Sequence, residues 1–102
     1  MKLRVEESEF IRCDILDIVR HIRRHNPSAA ARFIAAFKSS ADLLAGMPEP
    51  SRMRPDLGAL ETRSWRVHGF RNFLIFYEIL PDRLRLLRVL NGSRDLQAEL
   101  GR

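Results

Sequence analysis

Residues 62–96 read TRSWRVHGFRNFLIFYEILPDRLRLLRVLNGSRDL. Three strand-like runs are separated by two turn signals, Gly69-Phe70-Arg71 and Pro81-Asp82, and closed by Asn91-Gly92. The first run, Thr62–His68, alternates: Arg63, Trp65 and Val67 share one face, and Ser64, Arg66 and His68 share the other. The second, Asn72–Leu80, is almost wholly apolar, as expected of a central strand covered on both faces. The third, Arg83–Leu90, carries Arg83 and Arg85 on one face ahead of Leu87 and Val89. Strands joined by such short turns predict a three-stranded antiparallel meander.

The preceding residues supply the layer that covers it. Lys2–Glu6 alternates, which predicts a short strand with Leu3 and Val5 turned inward. Ser8 is placed to cap a helix, and Phe10, Ile11, Ile15, Ile18, Val19 and Ile22 then recur at helical spacing as far as His25. Asp14, Asp17, Arg20, Arg23 and Arg24 fill the other side, acidic first and basic last, which complements the helix macrodipole. Asn26-Pro27 ends that helix and starts a second, with Asn26 as N-cap and Pro27 at the first helical position. The second helix runs to Ala45-Gly46, where Gly46 suits a left-handed C-cap. So tight a connection predicts an antiparallel hairpin, and its many alanines permit close approach. Met47–Leu60, with Pro48, Pro50, Pro55 and Gly58, reads as a loop. The helices must pack on one face of the sheet, because only there do both sets of apolar positions become buried. The expectation is a single α+β domain over residues 1–102, with the first strand placed beside the last.

Composition narrows the setting. A chain of 102 residues with 45% hydrophobic residues supports one core. No apolar run is long enough to span a membrane, and Glu6, Glu7 and Glu9 stand where an export signal would be apolar. With Cys13 the only cysteine, no internal disulfide can form, and a reducing cytoplasm is the expected compartment. Cys13 itself reads as a small core residue. The net charge is +5, and arginine supplies all but Lys2 and Lys38 of the 18 basic side chains. Arginine's planar fork suits phosphate and carboxylate, so the expected partner is anionic.

Catalytic patterns are scarce. His21 and His25 lie four apart on one helix face but have no third ligand at a matching spacing, so no metal or cofactor is expected. His68 lacks a visible partner for general-base work. Glu78, inside the most apolar strand, is expected to meet an arginine of a neighbouring strand. Trp65 and Tyr77 could stack on bases but are expected in the core. The arginines of the sheet remain: Arg63, Arg66, Arg71, Arg88 and Arg94 are the candidate contacts to a target or to nucleic acid.

With these elements in place the chain resembles the RelE/ParE superfamily of bacterial type II toxins. The resemblance rests on the N-terminal strand, the hairpin with Asn26-Pro27 and Ala29-Ala30, the exit from Leu44 to Pro48 and the Arg63–Val67 strand. It rests further on the run FLIFYE from Phe73 and the run RVLNGSRDL from Arg88, where Asn91 replaces the commoner histidine. It implies a small toxin neutralised by a cognate, ParD-like antitoxin in a hetero-oligomer. Two activities are implied within the superfamily. ParE-like members, which this chain resembles better, poison DNA gyrase without chemistry of their own. RelE-like members cut mRNA on the ribosome; in that case Arg94 would fall on the basic position after the last strand, and Asp95–Arg102 contains no Tyr, His or Lys to serve as base.

Overall fold

The computed structural model of this protein describes residues 2–47, 52–53 and 62–92. The order of elements is β1 (Arg4–Glu7), α1 (Ile11–His25), α2 (Pro27–Gly46), β2 (Arg52–Met53), β3 (Arg63–Val67), β4 (Phe70–Ile79) and β5 (Arg83–Asn91). The strands form one mixed sheet in the order β1-β5-β4-β3-β2. β3, β4 and β5 make the antiparallel meander, and β1 lies parallel to β5 with Val5 beside Leu84. The α+β class, the helical hairpin and the place of β1 follow the sequence pattern, and no described helix is long and apolar enough to cross a membrane.

Both helices cover one face. Ile11, Ile18 and Val19 of α1, and Ala30, Phe33, Phe37, Ala41 and Leu44 of α2, pack with Val67, Ile75, Tyr77, Leu84, Leu86 and Val89 of the sheet. Burying each large side chain of this set contributes about 1.5–3 kcal/mol, which sets the balance against chain entropy. On the far face Phe76 and Leu90 form a second, smaller cluster with Leu74 packed on it. Ile75, Phe76 and Tyr77 are all fully buried, so β4 is covered on both sides.

The Asn26 N-cap forms as its sequence predicts. Its side chain accepts a hydrogen bond from Ala29 N at 3.2 Å, with Pro27 at the start of α2. Asn26→Ala is expected to lower stability by about 1 kcal/mol, read as a shift of the urea midpoint at unchanged m.

Several local features depart from the sequence pattern. α1 begins at Ile11, and Ser8 is no simple N-cap: its hydroxyl donates to the Leu87 carbonyl at 2.6 Å and accepts from Phe10 N. Gly46 ends α2 in no left-handed conformation; the one positive-φ residue described is Gly69, at 80°. The β3–β4 turn is therefore His68-Gly69, and Phe70 and Arg71 belong to β4. Arg52–Met53, expected in a loop, pairs with Arg63–Ser64 because the outer edge of β3 offers unpaired backbone groups. Cys13 is exposed, since it lies away from the buried stripe of α1.

The largest departure lies in β5. Tyr77 opposes Leu86 and Phe76 opposes Arg88, so Leu87 is an extra residue in the ladder. The insertion reverses the alternation. Leu84 and Leu86 face the helices before it and Val89 after it, so Val89 does not share a face with Arg83 and Arg85.

Candidate functional site

β1 ends at Glu7 while β5 runs on to Asn91, which leaves the outer edge of β5 unpaired beyond Leu86. The approach to α1 closes that edge. Ser8 N donates to Leu86 O at 2.8 Å, and the Ser8 hydroxyl donates to Leu87 O. One turn into α1, the Asp14 carboxylate accepts a hydrogen bond from Val89 N at 3.0 Å. The same carboxylate takes both arms of the Arg88 guanidinium, Nε at 2.8 Å and Nη2 at 2.9 Å. The Phe10 ring lies under the guanidinium, 5.0 Å from its centroid. Asp14 is buried and Arg88 nearly so, which makes this a bidentate pair in a low-dielectric setting.

Just past this clamp, α1 and the ends of β4 and β5 enclose a cleft of about 250 Å³, lined by Asp14, Asp17, Ile18, His21, Phe73 and Val89–Asn91. Phe73 also walls a wider hollow of about 520 Å³ under the β3–β4 turn, with Arg66, Gly69, Phe70 and Asn72. Phe33 of α2 holds this wall in place: its ring meets those of Phe70 and Phe73 edge-on, at 5.3 and 5.4 Å. Gly92 N donates to Asn72 O at 2.7 Å and ties the two strand ends together. This end of the molecule therefore presents apolar floors with amide, carboxylate, imidazole and guanidinium groups around them. Such a composition suits reversible contact with another surface.

The arginines singled out from the sequence are dispersed. Arg63 is half-buried on the helix face, beside Tyr77 in register. Arg66 is exposed, on the opposite face beside Leu74. Arg71 lies in β4, and Arg88 is engaged by Asp14. Arg94 lies outside the described residues. Tyr77 is fully buried and Trp65 packs against the main core. The register sets Glu78 opposite Arg85, but among the described residues no ion pair joins them, and the buried Arg85 Nε has no hydrogen-bond partner. Arg83 instead binds Glu6 across β1 at 2.6 Å; that hydrogen bond holds the Glu6 carboxyl below its ordinary pKa and raises that of Arg83. Among the described residues no three His, Cys, Asp or Glu side chains gather where they could hold a metal. Asp14 stands among the polar residues of α1 in the sequence, so its residue type alone does not mark it as part of a site. Its spacing from Ile11 and Ile18, three and four residues, already placed it on the buried stripe.

The family model of the ParE toxin of type II toxin-antitoxin system, parDE, matches residues 11–96 of this chain. The fold is similar to that of a solved chain described as the chromosomal ParDE TA system from P. aeruginosa. The two superpose with a TM-score of 0.75 at 13% identity, over 90% of this chain and 98% of that chain. No curated protein matches the sequence.

Proposed function

Because this chain belongs to the ParE toxin family of type II toxin–antitoxin systems, we propose that it arrests bacterial growth by inhibiting DNA gyrase and that a cognate antitoxin holds it in check. The family match across α1, α2 and all three strands of the meander carries this reading. The site agrees with it in kind. The groups gathered around Phe73 are suited to binding, and an inhibitor that works by occupancy needs shape and a few placed polar groups rather than a proton-transfer pair. Arg66 is the arginine carried forward as a target contact, because it is exposed and lines the hollow beside Phe73 and Asn72.

For the antitoxin, the last turn of α2 and its C-cap offer Leu43 and Met47, apolar side chains left exposed about one turn apart. An amphipathic helix of an acidic partner would cover them, and the net charge of +5 would speed its capture.

The test is induction of this chain alone in a bacterium, with growth, chromosomal DNA and transcripts followed together, beside a supercoiling assay with purified gyrase. Growth arrest, broken DNA, intact transcripts and blocked supercoiling are expected. Arg66→Ala should weaken the block at least several-fold with the thermal melt unchanged. Transcripts cut inside reading frames, with supercoiling normal, would overturn the proposal in favour of a ribosome-dependent nuclease.

A further inference from the structure

Arg12, Arg20, Arg23 and Arg24 are exposed along α1. At 3.6 residues per turn they fall within about 120° of arc, and Arg12 to Arg24 spans about 18 Å. Exposed Arg32, near the start of α2, continues the basic character across the hairpin tip; its contact is with the Ser28 hydroxyl. The ion pairs among the described residues are Lys2–Asp42, Arg4–Asp82, Arg83–Glu6, Arg83–Asp82 and Arg88–Asp14, and none takes an α1 arginine. Of the two acids on α1, Asp14 is committed to Arg88 and only Asp17 is exposed. Basic charge on the sheet edge is thus largely neutralised within the fold, and on the outer face of α1 it is not.

The helix macrodipole accounts for part of this pattern only. It favours Arg23 and Arg24 in the last turn, but its influence fades within a turn, so it does not reach Arg20. Arg12 lies in the first turn, at the positive end of the helix, where a cation is disfavoured. No acid stands in the first turn of α2 to offset the tip. We infer that the outer face of α1 binds the phosphate backbone of duplex DNA. A convex helix that carries four guanidinium forks over about 18 Å can follow the phosphates of one strand, whose repeat along the duplex axis is about 3.4 Å. An extended acidic peptide would instead need a groove, or a free strand edge to pair with. Contact of this kind is independent of sequence and would hold the protein near any target that works on DNA.

The test uses the purified full chain from cell-free synthesis and a short labelled DNA duplex of arbitrary sequence, with anisotropy read across a salt series. The wild type should bind with log Kd linear in log salt. The triple variant Arg20→Gln, Arg23→Gln, Arg24→Gln should bind at least about tenfold more weakly, with the salt slope reduced by about 3. The variant Lys2→Gln, Arg4→Gln, Lys38→Gln removes the same charge elsewhere and should keep most of the affinity. Equal losses in the two triples would mean that net charge, and not α1, drives binding, and would overturn the inference. So would a wild type that ignores the duplex while binding a glutamate-rich peptide. Gyrase inhibition without duplex binding would remove this inference and leave the proposed function standing; duplex binding without gyrase inhibition would do the reverse.

Discussion

Asp14→Ala is expected to lower folding stability by about 3–5 kcal/mol, read as a fall in Tm of ~15 °C or more for a domain of this size. Three losses coincide. The Arg88 guanidinium, only 17% exposed, is left without the carboxylate that takes its Nε and Nη2. Val89 N–H loses its acceptor at a strand edge that β1 does not reach. The first turn of α1 loses its anchor to the sheet. Against a typical total of 5–15 kcal/mol this takes a large share of the fold. Asp14→Asn keeps an acceptor for Val89 and should cost less. Combining Asp14→Leu with Arg88→Met should recover part of the loss, because replacing both members of a buried pair does not leave one charge without the other. Thermal and urea melts of the four proteins decide the matter. A loss below about 1 kcal/mol for Asp14→Ala would show the pair to be no more than a surface contact.

Phe33→Ala is expected to cost a similar amount, about 3–5 kcal/mol, through the cavity it leaves. Phe33 is fully buried and touches both Phe70 and Phe73, so the edge-on ring contacts are lost as well. The functional consequence follows from position. Phe73 walls both hollows of the candidate site, and Phe33 is what fixes it from the helix side. Phe33→Leu retains apolar volume and should fold with a much smaller loss, while weakening the proposed inhibition of gyrase because Phe73 is no longer held by a ring. Full inhibition by a folded Phe33→Leu would separate the Phe73 wall from the target contact.

The two variants also mark the limit of what could be read in advance. Phe33 was legible as a core residue from its place in the apolar run of α2, since helical periodicity depends only on neighbours three and four positions away. Its ring contacts were not, because they join α2 to β4 across some forty residues. Asp14 was legible as a helical residue but not as a buried ligand of Arg88, 74 positions further on. The arginine set illustrates the same division. Alternation separated Arg63 from Arg66 in the sequence, and the sheet register does place them on opposite faces. That Arg88 is consumed by the fold, while Arg20, Arg23 and Arg24 are left free of it, depends on which acids the tertiary structure brings near.

By itself the sequence determined the order of elements other than β2, the break at Asn26-Pro27, the doubly buried character of β4 and the packing of both helices on one face. These rest on local signals: capping chemistry, proline geometry, and apolar residues repeating every two or every 3.6 positions. Only the tertiary structure decided that Leu87 is an extra residue in β5, and with it that Val89 turns under α1 and that Asp14 closes the edge β1 leaves open. A strand's alternation says which residues share a face, but where that alternation slips is set by the partner strand and by the backbone groups that must be satisfied at its edge. The same requirement pairs Arg52–Met53 with β3, where composition alone indicated a loop.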